Sequence, residues 1–278
     1  GEIEVVKEAE KEVEKEVKDF TIFGFTIWRI FAYFIIYSII GYIIETLFGL
    51  ARYGTLESRQ SFVYGPFCAI YGVGAVVIIL SLQRFKGQYN TLFFAGCVVG
   101  SILEYIISFL GEVILNVKWW DYSSVPLNLN GRICLLYSLF WGFLSLYLII
   151  SLNPKIDKLI EFTKKKVNIK VVKTTTLVLF IFMILDCIIT GYALMCFMVR
   201  IIKTNNIETK NSARVNSVYE TIYNSKIQSK IVDKYFNDKK MLRTFPRLKV
   251  QDINGNIIFF SDLLPDITPY YLKIDNHR

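Results

Sequence analysis

Five long apolar stretches, separated by short polar connections, lie between residues 27 and 202. They cover approximately residues 27–50, 62–82, 92–115, 132–152 and 174–202. An α-helix of about 20 apolar residues crosses the ~30 Å hydrocarbon layer of a bilayer, and a helix satisfies its own backbone hydrogen bonds there. The pattern therefore predicts an all-α integral membrane bundle of about five transmembrane helices.

A segment of different character, residues 1–26, precedes the bundle. Its first 19 residues are mainly Glu, Lys and Val, and Ile3, Val6, Val13 and Val17 are spaced for one face of a helix. This spacing predicts an amphipathic helix. The low complexity of the segment is compatible with an engineered or fused helix and equally with a native cytosolic extension.

Residues 203–278 are polar and of ordinary complexity, which predicts a soluble C-terminal tail. Val215, Val218 and Ile222 recur at helical spacing. Further along, Asn254-Gly255 lies between two short apolar runs, a strong local signal for a two-residue hairpin turn. We expect a small α+β tail domain in which a helix is followed by a β-hairpin.

Composition supports the membrane assignment and narrows the partners. The chain of 278 residues is 53% apolar with a mean hydropathy of +0.41, which is too apolar for a soluble fold of this length. Its net charge is +8, but the basic residues lie in connections and in the tail. This distribution argues against nucleic acid as a partner and favours the lipid bilayer.

The positions of the basic residues also predict a topology. The connection 153–173 carries seven lysines, and Arg84 and Lys86 lie in the second connection. The first and third connections together carry three cations, Arg52, Arg59 and Lys118. Because positively charged connections stay cytoplasmic, we expect a multi-pass protein of the bacterial cell membrane with a cytoplasmic N-terminus. Five spans would then place the C-terminal tail outside the cell.

Four acidic residues interrupt the apolar stretches, namely Glu45, Glu104, Glu112 and Asp186. A charge at the centre of a spanning helix costs roughly 2.5–3.5 kcal/mol on insertion scales, so each acid requires a reason. The predicted topology gathers most of them toward the outer leaflet. Four further polar residues flank the same level: Tyr64, Asp121, Asn130 and Arg132.

Two interpretations of these charges remain open. The acids could pair with Arg132 and with Tyr and Asn side chains and so hold the bundle together, or they could line a polar cavity. Glu104, Ser108 and Glu112 recur at i, i+4 and i+8, which places them on one helix face with ~12 Å between the carboxylates. A polar stripe that faces the interior favours the cavity.

Several chemistries are excluded by missing residues. The chain has no GxxxxGK[ST] motif, so it has no nucleotide site of the P-loop kind. Its one histidine, His277, is next to the last residue, which argues against histidine-based zinc sites and catalytic triads. A metal would have to be a divalent cation bound through carboxylates, carbonyls or water.

Several motifs, in a fixed order, resemble those of a known bacterial membrane family. They are IGYIIET at 40–46, YGPFCAIYGVGA at 64–75, LEYIISFLGE at 103–112, WWDYS at 119–123, NLNGRICL at 128–135 and SLFWG at 138–142. Together they cover about residues 30–150, and they resemble the ABC-transporter type IV, CmpB-like family. The segment FPRLKVQDINGN at 245–256 is similar to the tails of some members.

The resemblance implies a permease-like protein that works with a separate ATPase subunit. It does not carry a substrate with it. By their match to the family motifs, eleven positions are candidates for function: Glu45, Tyr64, Gly65, Pro66, Glu104, Glu112, Trp119, Asp121, Asn130, Gly131 and Arg132.

Three hypotheses of function follow. The first is a membrane transport protein whose acidic outer-leaflet cavity binds an ion or a small cationic or zwitterionic solute. The second is a membrane-embedded enzyme for a lipid or lipid-linked substrate, in which Asp121 or a glutamate is the general base and Arg132 holds a phosphate. The third is a non-catalytic sensor or assembly partner that uses the tail. Each is compatible with a homo-oligomer.

Overall fold

The computed structural model describes residues 3–8, 11, 19–115 and 118–274. Of the predicted N-terminal helix, residues 3–8 and 11 are helical, and residues 1–2, 9–10 and 12–18 lie outside the described residues. The chain then enters a two-stranded turn, β1 (Thr21–Ile22) and β2 (Phe25–Thr26), which leads directly into the first long helix.

Six helices form the bundle. They are α1 (Ile27–Tyr53), α2 (Ala69–Leu82), α3 (Tyr89–Leu115), α4 (Leu135–Tyr147), α5 (Asn153–Lys166) and α6 (Ile169–Thr204). A turn of π-helix, Leu148–Leu152, joins α4 and α5 into one continuous helical stretch. It immediately precedes Asn153-Pro154, where the proline lacks an N–H and crowds the carbonyl four residues earlier.

Four helical stretches in the described chain are long and apolar enough to cross a membrane, Ile27–Tyr53, Tyr89–Ile114, Leu135–Lys166 and Ile169–Thr204. The chain is therefore a membrane protein with transmembrane helices. Its outer surface agrees with this assignment: Phe94, Val98, Ile102 and Ile106 recur every four residues along α3, and all are exposed. An exposed apolar stripe on a long helix is suited to lipid.

The predicted second span, 62–82, differs from the others. It is helical only from Ala69, so α2 has 14 residues and is about 21 Å long, less than the ~30 Å of hydrocarbon. Gly65 adopts a left-handed backbone (φ 81°) and is followed by Pro66, a pair that cannot continue a helix. Residues 57–68, which we call the extended segment, replace the missing helical turns.

Glycines allow the bundle helices to approach closely. A Cβ on Gly72 of α2 would clash with the Ser38 hydroxyl and would lie 2.6 Å from the Phe34 carbonyl of α1. Gly96 and Gly100 of α3 face Ser145 and Trp141 of α4 in the same way. Small residues at these positions bring helix backbones together where no hydrophobic driving force between helices is available.

The tail folds around the end of α6. At 36 residues, α6 is about 54 Å long, nearly twice the thickness of the hydrocarbon layer. Its last turns, from Ala193 to Ile202, share a buried core with Val215, Ile222 and Phe260 of the tail. The end of α6 is thus the central element of the tail rather than a free extension.

Three helices, a hairpin and a short final helix make up the tail. The helices are α7 (Ser212–Tyr223), α8 (Lys226–Tyr235) and α9 (Asp238–Thr244), followed by β6 (Lys249–Gln251), β7 (Ile257–Phe259) and α10 (Phe260–Leu263). Strands β6 and β7 pair on either side of Asn254-Gly255, but through a longer connection than a two-residue turn. The Asp252 carboxylate accepts hydrogen bonds from the amides of Asn254 and Asn256 and thereby holds this connection.

The tail is attached to the first and third connections of the bundle. Strand β3 (Thr55–Leu56), just after α1, pairs with β8 (Leu272–Lys273) at the end of the described tail. Arg247 donates to the buried carboxylate of Glu57 at 2.6 Å. In the third connection, which contains the hairpin β4 (Asn128–Leu129) and β5 (Ile133–Cys134), Lys118 bridges to Lys249. We call this end of the bundle the tail end.

The opposite end is held by a separate set of ion pairs. Arg29, at the start of α1, donates to Asp157 at 3.1 Å and to Glu161 at 2.6 Å on α5. Tyr37 donates to Asn153 at 2.8 Å. The lysine-rich α5 therefore lies with the beginning of α1, and we call this end the basic end.

The close approach of α1 and α2 gives a direct test of the packing. We expect Gly72→Ala to lower the free energy of unfolding by about 1–3 kcal/mol, because the Phe34 carbonyl cannot rotate away from the added methyl group. Gly191→Ala on α6 is the matched control, since a Cβ there meets nothing within 4 Å; it should be neutral or stabilising by up to about 1 kcal/mol. Thermal unfolding in detergent micelles measures both, and equal midpoints would contradict the packing.

Candidate functional site

The extended segment satisfies much of its backbone internally. Gln60 donates its side-chain amide to the carbonyls of Phe62 and Val63, both at 2.9 Å. The Ser61 hydroxyl donates to the Phe67 carbonyl at 3.1 Å and accepts from the Ala69 amide at 2.9 Å. Two polar side chains therefore pair with backbone groups of this segment that would form intrahelical hydrogen bonds if the segment were a helix.

Neighbouring helices complete the hydrogen bonding of this segment. The Cys68 amide donates to the Ser38 carbonyl near the middle of α1, at 2.9 Å. On α6, the Thr190 hydroxyl accepts from the Val63 amide at 2.9 Å and the Asp186 carboxylate accepts from the Tyr64 amide at 3.2 Å. The non-helical backbone thus reaches from the tail end into the middle of the bundle.

Asp186 is explained in part by this contact. It is only 1% exposed, and one carboxylate oxygen accepts from the Tyr64 amide while the other, Oδ2, meets no hydrogen-bond donor among the described residues. The Tyr64 side chain points elsewhere, with the Lys240 ammonium 5.7 Å from its ring centroid. Both residues therefore have a structural role in holding the extended segment against α6.

A cavity of about 730 Å³ lies between the extended segment, the bundle helices and the tail. This volume is within the range of small-molecule sites. Its wall is rich in aromatic side chains, among them Trp119, Trp120, Tyr122, Tyr137, Phe140 and Trp141. Residues 244–248 of the tail close the side at the tail end.

Two of the predicted acids line this cavity, and each is held by neutral donors. Glu45 of α1 accepts from the Tyr71 hydroxyl at 2.5 Å. Glu104 of α3 is 6% exposed and accepts from the Tyr122 hydroxyl at 2.8 Å and from the Trp141 indole at 3.2 Å. Neither carboxylate forms an ion pair within the described part of the chain.

Glu112 and Arg132 lie outside the cavity and pair with each other at 2.9 Å. Arg132 also donates to Ser108 at 3.1 Å and lies over the rings of Tyr105 and Phe109. The i, i+4 and i+8 stripe along α3 therefore divides. Each four-residue step turns a helix by about 40°, so Glu104 faces the cavity while Ser108 and Glu112 rotate toward Arg132.

Two further predicted positions, Asn130 and Asp121, belong to the third connection. The Asn130 amide donates to the Tyr105 hydroxyl at 2.9 Å, beside the Arg132 cluster. Asp121 accepts from the amide of Ser123 at 3.0 Å and from its hydroxyl at 2.5 Å. Burial raises the pKa of Asp121, but these hydrogen bonds and the nearby charges of Lys118 and Lys249 outweigh it, so the pKa is lowered.

The part of the chain that matches a known family contains most of the cavity wall. Residues 32–191, more than half of the chain, match the family described as "Putative ABC-transporter type IV". The chain belongs to this family. In comparisons with curated proteins and with solved structures, nothing matches the chain.

The extent of the match separates the bundle from the tail. It includes the whole extended segment, both cavity acids and α6 as far as Gly191, and therefore continues past the motifs at 40–142 on which the resemblance was based. It ends before the tail helices, so the similarity of FPRLKVQDINGN to tails of CmpB-like proteins stays a prediction. The cavity is thus built mainly from family-matched residues and closed by residues beyond the match.

Several cavity residues were not singled out from the sequence. Tyr71, Tyr122 and Trp141 hold the two acids, yet in the sequence each is one aromatic residue among many. Arg59 entered only as a charge for the topology, although it lines the cavity. A basic residue shortly before a Gly-Pro break in a span is the signal that could have indicated it.

The described residues contain no cluster of side chains suited to bind a metal ion. No group of three or more His, Cys, Asp or Glu side chains lies close enough together to hold a metal ion there. Asp121 and Arg132 are also absent from the cavity lining, so the structure does not bring the phosphate-binding residue of the enzyme hypothesis, or the aspartate offered as its base, into it. A glutamate, the other base of that hypothesis, does line the cavity.

Two substitutions of Asp186 distinguish its role as a hydrogen-bond acceptor from a role that requires its negative charge. We expect Asp186→Asn to be at least as stable as the wild type, because an amide oxygen can still accept from the Tyr64 amide. Asp186→Leu should lower the free energy of unfolding by about 1–3 kcal/mol, since that amide would lose its acceptor. Thermal unfolding in detergent distinguishes the two. If Asp186→Asn is less stable than the wild type, the fold requires the charge of the carboxylate and not only its oxygen as an acceptor.

Proposed function

We propose that the protein is a permease-type transport protein that binds an ion or a small cationic or zwitterionic solute in the cavity. The observation that carries the proposal is that Glu45, which is half-buried, and Glu104, which is buried, line one aromatic cavity and receive hydrogen bonds only from neutral groups among the described residues. A buried carboxylate without a counter-charge is costly. A bound cation would offset that cost.

The aromatic wall suits the same class of ligand. Organic cations are attracted to the faces of Trp, Tyr and Phe rings, by about 0.5–2 kcal/mol depending on how far water is excluded. Trp141 and Tyr122 contact Glu104 directly, so the carboxylate and the rings face one volume. Such a site would recognise a charged head and tolerate an apolar body.

The broken second span supports transport over simple structural packing. Non-helical backbone at membrane depth is tolerated where it is buried in protein or lines a cavity, and such segments form substrate sites in several transporter folds. Here the extended segment contributes Ser58, Arg59 and Gln60 to the cavity wall. A movement of this segment or of the tail would change access to the acids.

The two ends of the bundle suggest how the protein is oriented. We place the basic end, with the lysines of α5, in the cytoplasm of a bacterial cell and the tail end outside, because short positive connections are retained inside while long segments are translocated largely regardless of charge. A separate ATPase subunit, if the family name describes this chain's mechanism, would dock on the basic end.

The cavity hypothesis is tested by binding. We expect choline or n-butylammonium, from a panel that also contains Na⁺ and K⁺, to raise the unfolding temperature of the purified protein. Glu45→Gln and Glu104→Gln should each weaken that binding at least tenfold, about 1.4 kcal/mol. Glu220→Gln is the control, because Glu220 is exposed on the tail and does not line the cavity. No stabilisation by any cation or by any small amino acid, or stabilisation that both cavity variants retain, would sink the proposal.

The orientation is tested by labelling. In a chain without its native cysteines, we expect Lys230→Cys on the tail to react with a membrane-impermeant maleimide in intact cells. Lys165→Cys at the basic end should react only after the membrane is permeabilised, and both residues are exposed in the structure. The reverse pattern, or labelling of both positions in intact cells, would show that the lysine asymmetry does not set the topology here.

A further inference from the structure

Arg59 is the basic residue of the cavity that has no counter-charge among the described residues. It belongs to the extended segment and lines the cavity. Its guanidinium packs so closely on α1 that a Cβ on Gly49 would lie 2.8 Å from Nε. This Nε is buried and meets no hydrogen-bond acceptor in the described part of the chain, and no carboxylate there lies within ion-pair distance of Arg59.

The position of Arg59 relative to Glu45 follows from which residues of α1 each of them lies against. Glu45, Gly49 and Tyr53 are spaced i, i+4 and i+8, so they lie on one side of the helix at intervals of about 6 Å. Arg59 packs on Gly49 and lies 5.7 Å from the Tyr53 ring centroid. Because Tyr53 is at the tail end, Arg59 is about one helical turn nearer that end than the Glu45 carboxylate.

Arg247, which also lies against Tyr53, differs from Arg59 because its guanidinium has an acidic partner. Its guanidinium stacks on the Tyr53 ring at 3.7 Å and donates twice to the Glu57 carboxylate, at 2.6 and 3.2 Å. Arg247 also lines the cavity, but Glu57 neutralises it. In the described part of the chain, the uncompensated charges of the wall are therefore the buried Glu104, the half-buried Glu45, and Arg59 closer to the tail.

We infer that the ligand is a small zwitterion that places an ammonium group at Glu45 and Glu104 and an anionic group, carboxylate or phosphate, at Arg59. This inference rests on the proposed function and narrows its substrate class. A simple cation would leave the buried Nε–H of Arg59 without an acceptor and would be repelled by its charge. A zwitterion satisfies both ends of the cavity at once.

Matched probes separate the two ends. A series of ω-amino acids from glycine to 6-aminohexanoate is compared with n-alkylamines and carboxylates of the same chain length, by the shift in unfolding temperature of the whole protein in detergent. We expect at least one amino acid to bind about tenfold or more tightly than its amine, since a charge-assisted hydrogen bond is lost in the amine. Nanodiscs with and without phosphatidylethanolamine test whether a lipid headgroup supplies the same zwitterion.

Substitution of Arg59 then assigns the anionic end. Arg59→Gln should abolish the advantage of the amino acid, or of phosphatidylethanolamine, over the amine, and it should strengthen amine binding because the charge that repels an amine is removed. Arg52→Gln is the control, because Arg52 is exposed on α1 and does not line the cavity. If Arg59→Gln does not fold, the wild-type comparison of amino acid and amine still decides.

The outcomes distinguish this inference from the proposed function. Amines that bind as tightly as their amino acids at every chain length, or an amino-acid advantage that Arg59→Gln retains, overturn the zwitterion and leave a cation site. If the carboxylates bind without an amino group and more tightly than the amines of the same chain length, both the zwitterion and the proposed cation site are overturned. Stabilisation by phosphatidylethanolamine only, lost in Arg59→Gln, supports the zwitterion with a lipid as its source.

Discussion

The backbone of residues 57–68 needs hydrogen-bond partners inside an apolar bundle, and the cavity depends on how it finds them. A helix would satisfy each amide and carbonyl by itself. Here Gly65-Pro66 prevents a helix, and the partners are the side chains of Gln60 and Ser61 and groups on α1 and α6. Because an extended chain is thinner than a helix, which with its side chains is about 10–12 Å across, space remains between the extended segment, α3 and α4. The aromatic cavity occupies that space.

The same constraint gives the buried polar groups two different roles. Asp186 and Thr190 accept hydrogen bonds from backbone amides and stabilise the non-helical segment, so their polarity serves the fold. Glu45 and Glu104 receive theirs from the tips of aromatic side chains that themselves line the cavity. Neither carboxylate has a counter-charge among the described residues, whereas Glu112 is paired with Arg132.

The length of α6 connects the bundle with the tail. A helix of 36 residues extends well beyond the hydrocarbon layer, and the tail packs its core on the protruding turns. The tail is then fixed to the bundle by the pairing of β3 with β8 and by Arg247 and Glu57. Its residues 244–248 complete the cavity wall. A chain that ended with the membrane helices would therefore have an incomplete cavity.

Sequence alone indicated a bundle of membrane helices and the family, because apolar length and motif order are local properties of the chain. The predicted span 62–82 is the exception, since it is helical only from Ala69 and is not among the four stretches of the described chain that are long enough to cross a membrane. The acids at 45 and 104 were also evident, since a charge within an apolar stretch has a cost that does not depend on the rest of the fold. Sequence could not determine which acids share a cavity. The stripe at 104, 108 and 112 looked continuous, and only the rotation of α3 against α4 and the third connection divided it between the cavity and Arg132. Arg59 is the clearest case: its charge is visible in the sequence, but its lack of a partner is a property of the space around it, which only the packing of α1, the extended segment and the tail creates.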